Sequence, residues 1–316
     1  GAVVALVNYM SQILVELVKL ANLIITISKS LACANRISAV FEETSSIEDK
    51  ADAAVLAANA GDAQEQPAKV EFASMDFAYA GSSENALSQI SFQAMRGQTI
   101  GIIGGTGSGK SSVVNLIPRF YDATEGEVFV DGVNVKEYTQ EALHNKIGYV
   151  SQKAILFSGT IADNVAYGEN GKAPATQDDI AMAVKVAQAS EFVEKKDQGY
   201  DGYVAQGGSN FSGGQKQRLS IARAIARQPE ILIFDDSFSA LDYKTDRILR
   251  EALRKECKDA TKIIVAQRIG TIRDADKIIV LDDGQIAGMG THDELMKNCE
   301  VYQEIAYSQL SKEELA

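Results

Sequence analysis

Residues Gln98 to Ser111 read "QTIGIIGGTGSGKS". Ile100, Ile102 and Ile103 make the start of this stretch a short buried strand. A glycine-rich loop follows, and a helix is expected from about Ser111. Gly104 to Ser111 fits the pattern G-x-x-x-x-G-K-[ST], in the strand-loop-helix context that gives the pattern its meaning. Glycines let backbone N–H groups wrap around phosphates. A helix N-terminus adds partial positive charge. Lys110 is expected to reach the β- and γ-phosphates, and the Ser111 hydroxyl to ligate Mg²⁺. The phosphate contacts are expected from Gly104, Gly105, Thr106, Gly107, Ser108, Gly109, Lys110, Ser111 and Ser112. The plainer alternative is a glycine-rich turn that matches by chance.

A second stretch answers the first. Ile231 to Asp242 reads "ILIFDDSFSALD", an apolar strand running into adjacent carboxylates. An acid at the end of a buried strand needs a cation beside it. In a phosphate-binding NTPase that cation is Mg²⁺, so Asp235 is expected to hold it with Ser111.

The rest of the chain sets the frame. Its 316 residues are 46% hydrophobic and 23% charged, enough for one large or two medium domains. A net charge of −12 argues against non-specific binding to nucleic acid or anionic lipid. Cys33, Cys257 and Cys299 are widely spaced, as reduced thiols would be. With only His144 and His292, a His-rich metal site or a His-based triad is not expected. The opening "GAVVALVNYM" reads as if cut from something longer. Gly1 to Ser28 is apolar and long enough for a membrane helix, which needs about 20 residues. An amphipathic helix in a soluble bundle fits it as well. Glu16 and Lys19 share a helical face and can pair. Lys29 and Arg36 place the C-terminal end in the cytoplasm if the helix crosses a bilayer. As one helix, Gly1 to Phe41 would be about 60 Å long. Between Glu42 and Lys69 seven acidic and two basic residues mark a solvated linker, with a helical turn or two near Ala51–Ala60.

From Val70 the texture is that of a folded domain. "VEFASMDFAY" alternates as a strand does, and "EGEVFVDGVNV" reads as a hairpin turning at Asp131-Gly132. Thr176 to Lys195 reads as one helix opened by a Thr176/Asp179 capping box, with Ile180, Val184 and Ala187 on one face. Leu219 to Ala226 reads as another helix. "EILIF", "KIIVA" and "KIIVL" are continuous apolar strands, which indicates a mainly parallel sheet covered on both faces. A helix-rich lobe, about 154–227, interrupts them.

"NFSGGQKQR", Asn210 to Arg218, opens a helix with a serine and two glycines, a second anion-binding terminus. Two such termini on one chain suggest two chains that complete each other's sites. Ser212, Gly213, Gly214 and Gln215 resemble the ABC signature, and the flanking "QRLSIARAIARQPEILIFDD" follows that family's pattern. Val70 to Leu295 as a whole resembles an ABC ATPase domain. Tyr79 matches the aromatic that stacks on adenine. Gln152 matches the Q-loop glutamine that touches Mg²⁺ and the attacking water. Leu241 and Asp242 match the D-loop. "LFSGTIADNVAYG" is typical of the exporter branch.

The resemblance implies a P-loop NTPase of RecA-like α/β fold, with an antiparallel β subdomain and an inserted α-helical subdomain at about 153–228. It implies ATP and Mg²⁺ as cofactors. It makes residues 1–43 the last transmembrane helix of a half-transporter, 44–68 a linker, 69–310 the nucleotide-binding domain and 311–316 a tail. It places the protein in the cell membrane, multi-pass at full length, with the nucleotide-binding domain in the cytoplasm and a second half-transporter as partner. A soluble ABC ATPase acting on nucleic acid is the alternative, disfavoured by the acidic balance and the leading apolar helix.

Three departures from the family pattern bear on catalysis. The carboxylate after Asp235 is Asp236, where the family has Glu to position or deprotonate water. The family's switch histidine falls on Gln267, which can still donate a hydrogen bond to a γ-phosphate but takes no proton. The segment before the signature reads Val204-Ala205-Gln206-Gly207-Gly208, without the usual Glu and Arg. Asp236, Gln267 and Gln152 are therefore the candidate catalytic groups of a site that binds ATP and hydrolyses it slowly. That is the degenerate site of a heterodimeric exporter. A homodimer with Asp236 as a poorer base is the other reading, and a non-hydrolysing regulatory subunit a third.

Overall fold

The computed structural model describes residues 1–49, 67–196 and 198–309. The expected turns near Ala51–Ala60, most of the expected linker and the expected tail lie outside the described residues. The chain separates into two compact units, Gly1–Glu48 and Asp49–Ala316.

The first unit is one helix, α1 (Ala2–Glu42). Its sequence holds no proline or glycine to break it, and Leu and Ala are strong helix formers. Glu16 and Lys19 pair at 2.8 Å, as their spacing suggested. Thr26 and Ser28 turn their hydroxyls onto the carbonyls of Asn22 and Ile24, which hides polar atoms against the helix itself. None of its residues is buried within this chain. By length and composition it can cross a membrane.

Among the described residues the second unit is built on a four-stranded and a six-stranded sheet, with a two-stranded pair in its helical lobe. Strands β1 (Val70–Phe77), β2 (Leu87–Ala94) and β3 (Thr99–Gly104) come first, then helix α2 (Lys110–Leu116). The hairpin β4 (Glu125–Val130) and β5 (Val133–Asn134) follows. Asp131 and Gly132 both sit in the left-handed region, the two-residue turn whose twist matches the strands. The order β2-β1-β4-β5 makes an antiparallel sheet.

After α3 (Gln140–Lys146) and β6 (Ile147–Val150) the chain enters the helical lobe. It contains β7 (Gly159–Thr160), α4 (Ile161–Ala166), α5 (Gln177–Val186), α6 (Ser190–Glu194), β8 (Tyr203–Val204) and α7 (Gly213–Ala226). The chain returns through β9 (Ile231–Asp235), α8 (Tyr243–Glu256), β10 (Thr261–Val265), α9 (Ile269–Ile272), β11 (Lys277–Asp282) and β12 (Gln285–Gly290). It closes with α10 (His292–Asn298) and α11 (Glu300–Gln309). The six-stranded sheet runs β12-β11-β3-β10-β9-β6, parallel except for the edge strand β12.

All five residues of β9 and all five of β10 are buried, because both faces of this sheet are covered. Side chains alternate between two cores. Leu232, Phe234 and Ile264 join α7 and α8 on one side. Ile231, Ile233, Ile263 and Val265 join α2 and the antiparallel sheet on the other.

The single helix expected over Thr176 to Lys195 is two helices. The Thr176/Asp179 capping box forms, and Ile180, Val184 and Ala187 share the buried face. The helix ends after Val186 because Gln188 turns left-handed, at φ 56°. Ala189 N then bonds Val184 O at 2.9 Å and Gln188 N bonds Lys185 O at 3.0 Å, a Schellman closure. Helix α7 begins at Gly213, where the "NFSGGQKQR" stretch was expected to open a helix and six residues before the Leu219 that its apolar pattern indicated.

A buried ion cluster fastens the start of this unit. Lys69, only 1% exposed, donates to both Asp131 oxygens at 2.7 and 2.8 Å and to Glu230. Lys146 reaches the same two acids at 3.0 and 3.4 Å, and Arg96 reaches Asp131 at 2.6 Å. Burial pushes the Asp131 carboxyl up, but hydrogen bonds and charge from Lys69 and Lys146 prevail and hold it below its ordinary range.

Candidate functional site

The loop from Gly104 to Lys110 connects β3 to α2. Gly105, Thr106 and Gly107 form its open crest. Gly109 caps α2 at φ 92°, and a Cβ there would come within 2.5 Å of Leu87 Cδ2. Only glycine satisfies both the turn and the close approach. Ser108 is buried and donates to Gly105 O at 2.9 Å, which pins the curl. Lys110 Nζ donates to Gly104 O at 2.9 Å, to Gly105 O, and to Ser108 Oγ at 3.3 Å. Burial lowers the Lys110 pKa, against the opposing pull of Asp236 and Asp235.

Asp235, the last residue of β9, meets this loop. Ser111 Oγ donates to Asp235 Oδ1 at 2.9 Å, across 124 residues of sequence. Two hard oxygen groups at this separation suit a divalent cation such as Mg²⁺, which keeps waters and phosphate oxygens for its other positions. Among the described residues no group of three or more His, Cys, Asp or Glu side chains forms a metal site by itself. Waters and bound phosphates would complete the coordination. Tyr149 Oη stands on the other side of the acid, 3.2 Å from Asp235 Oδ2 and 2.8 Å from Asn115 Oδ1. Burial and the neighbouring Asp235 push the Tyr149 phenol far above its ordinary range, so it stays protonated. The sequence alone assigns no role to Tyr149 or Asn115.

Asp236 faces a different set of partners. Its φ is 47°, an uncommon conformation for a residue other than glycine, and its N–H bonds Val265 O at 3.1 Å. The turn swings its carboxylate to Gln152 and Gln267. Gln152 Nε2 donates to Asp236 Oδ2 at 3.0 Å and Gln267 Nε2 to the same oxygen at 2.6 Å. Asp236 is 7% exposed. Burial raises its pKa, and the two amide hydrogen bonds moderate the rise. The structure thus joins the three candidate catalytic residues in one cluster. The hydrogen bond from Gln152 runs to Asp236 rather than to Ser111 or Asp235.

Tyr79 borders the loop from the antiparallel sheet. Its hydroxyl lies 2.8 Å from Ser112 Oγ, and its ring meets Phe77 and Tyr121 edge-on at 4.7 and 5.3 Å. Tyr79 is 40% exposed, which leaves a surface on which a planar base can stack.

Ser212, Gly213, Gly214 and Gln215 lie elsewhere. Ser212 caps α7 in a reciprocal box with Gln215, at 3.0 and 3.3 Å. Among the described residues no hydrogen bond joins these four to Lys110, Ser111, Asp235 or Asp236. Helix α7 reaches the cluster indirectly, since buried Gln217 donates to Ser151 O at 3.1 Å, next to Gln152. Asp242 caps α8 through Thr245, and Leu241 is buried.

Comparison with known proteins gives a consistent picture. Residues 87–239 match the ABC transporter family model. An uncharacterized ABC transporter ATP-binding protein of Mycobacterium tuberculosis is 41% identical over 98% of this chain and 52% of its own length. An ATP-dependent lipid A-core flippase of Haemophilus influenzae is 42% identical over 78% of this chain and 42% of its own. The solved structure of a bacterial Atm1-family ABC exporter with ATP bound superimposes with a TM-score of 0.80 at 33% identity, over 91% of this chain and 49% of that one. The chain spans about half the length of the curated relatives it matches.

Proposed function

This chain belongs to the ABC transporter family, and from that membership we propose that it is the ATP-binding part of an exporter half whose own site binds ATP and turns it over slowly. The observation that carries the nucleotide site is the 2.9 Å contact of Ser111 with Asp235 at the mouth of the glycine loop. Loop amides and Lys110 would hold the phosphates, Tyr79 and its aromatic neighbours the base, and Ser111 and Asp235 the Mg²⁺, while the Gln152 amide is directed to Asp236. Mg²⁺, when bound, offsets charge on the β- and γ-phosphate oxygens. Asp236, Gln152 and Gln267 face the place where water would attack. A base has to reach its proton within about 2.6–3.2 Å. Asp236 is held back from that reach by a short side chain and by two amides on one oxygen.

The four residues Ser212 to Gln215 open α7 and, among the described residues, make no hydrogen bond to Lys110, Ser111, Asp235 or Asp236, which supports a role in the site of a second half-transporter. ATP held between the two domains favours the closed pair, and that difference drives the membrane helices. A heterodimer with a catalytically stronger partner follows from Asp236 and Gln267 together. The raised pKa of Asp236 supports a second reading, a homodimer in which Asp236 is a working but slow base.

Phosphate release by this subunit alone, against the subunit mixed with its partner, separates the two. Asp236→Asn should slow the mixed dimer little, and Ser212→Arg should slow it severely. Full-rate turnover by the lone subunit, or a severe effect of Asp236→Asn, refutes the degenerate-site reading.

A further inference from the structure

Helix α11 is anchored by Tyr302 and Ala306, both fully buried. Its last residue, Gln309, reaches the segment between β10 and α9. Gln309 Nε2 donates to Gln267 O at 2.7 Å, and Gln309 Oε1 accepts from Ile269 N at 2.9 Å. One side-chain amide therefore makes both bonds that a neighbouring β-strand would make to residues i and i+2. Between them Arg268 is extended, and its guanidinium donates to Leu241 O and Ser239 O, each at 3.4 Å. From this clamped backbone the Gln267 side chain projects to Asp236 Oδ2 at 2.6 Å.

We propose that Gln309 is a positioning residue for the nucleotide site, holding the Gln267 backbone so that its side-chain amide is presented to a γ-phosphate. The proposal rests on the nucleotide-site reading. It makes the end of α11 part of how this site tells ATP from ADP. The clamp touches no reacting atom, and its effect passes through Gln267. The helix itself is secured by Tyr302 and Ala306, so a change at Gln309 alters the clamp and leaves the docking of α11 in place.

The test uses the full chain in detergent with Gln309→Met, Gln309→Glu and Gln267→Ala. Equilibrium binding of MgATP and MgADP is measured, together with amide hydrogen exchange over residues 266–270. Gln309→Met keeps the length and loses both bonds. It should speed exchange of the Ile269 amide and weaken MgATP about three- to tenfold, the span of one net hydrogen bond. MgADP affinity should stay unchanged, and Gln267→Ala should act in the same direction. Gln309→Glu keeps the acceptor for Ile269 N, so it should restore that protection without restoring the ATP preference. The proposal falls if Gln309→Met leaves the ATP-to-ADP ratio at its wild-type value while Gln267→Ala lowers it. It also falls if Gln267→Ala leaves the ratio unchanged, or if Ile269 exchange does not respond. Wild-type chain that binds neither nucleotide removes the nucleotide-site reading and the clamp with it.

Discussion

Lengthening Asp236 tests the catalytic reading directly. Asp236→Glu adds one C–C bond, about 1.5 Å, to the reach of the carboxylate. The space ahead is taken, because Gln267 Nε2 already stands 2.6 Å from Oδ2 and Gln152 Nε2 stands 3.0 Å from it. An extra methylene drives the acid into both amides unless one gives way. Asp236→Glu alone is therefore expected to raise turnover by less than about tenfold, a fraction of what a placed base contributes. Gln267→His alone supplies a titratable ring to an acid still held short, and should gain as little. Together the two changes move the acid forward and replace the blocking amide. A well-placed base is worth about 10²–10⁴-fold, so the double variant should gain at least about 10²-fold. Coupling of this kind between residues in contact is non-additive. The assay is phosphate release by the lone subunit at saturating MgATP, with nucleotide affinity measured in parallel. A double variant that binds ATP normally and turns over at the wild-type rate refutes the reasoning. So does a single Asp236→Glu that gives the whole gain.

Other consequences follow from the same contacts. Asp235→Asn removes the charge opposite Ser111, and should cost at least about tenfold in ATP affinity and make binding insensitive to Mg²⁺; a titration with and without Mg²⁺ reads this. Lys69→Met leaves Asp131 and Glu230 without their central cation and should destabilise the domain by about 3 kcal/mol, the low end for a broken buried pair because Glu230 is half-exposed. Denaturant unfolding at neutral pH measures it. The Asp131 pKa is depressed in the folded state, so its stabilising contribution is present above the unfolded carboxylate value and is lost as pH falls through the folded one. Wild-type stability should therefore decline on the acid side of about pH 4, and Lys69→Met should flatten that part of the profile.

What the sequence made legible was local in its cause. The loop from Gly104 to Ser111 and the turn at Asp131-Gly132 are legible because few residues other than glycine tolerate those backbone angles. The Thr176/Asp179 box is legible because its partners are three residues apart. Asp235 was readable as a cation ligand because a charge ending a buried strand demands a partner. The break at Gln188 was hidden because no glycine marks that left-handed position. Lys69, Asp131, Lys146 and Glu230 meet from distant parts of the chain, and the same holds for Gln217 with Ser151. Such pairs depend on how the helical lobe and the sheets pack, which periodicity does not encode. Asp236, Gln152 and Gln267 were singled out separately by family pattern, and the shared oxygen that joins them is visible only in three dimensions.

The Tyr149 hydroxyl carries one proton and stands within reach of two acceptors, Asn115 Oδ1 at 2.8 Å and Asp235 Oδ2 at 3.2 Å. It can serve only one of them at a time. A rotation about a single C–O bond decides which, and no backbone atom has to move. With the hydrogen bond given to Asp235, the acid's charge is partly quenched. With the hydrogen bond given to Asn115, Asp235 keeps the Ser111 donor and more of its charge faces the glycine loop. The phenol is thus a two-position rotor beside the acid, setting without any backbone movement how much of the Asp235 charge is left to face Ser111 and the glycine loop.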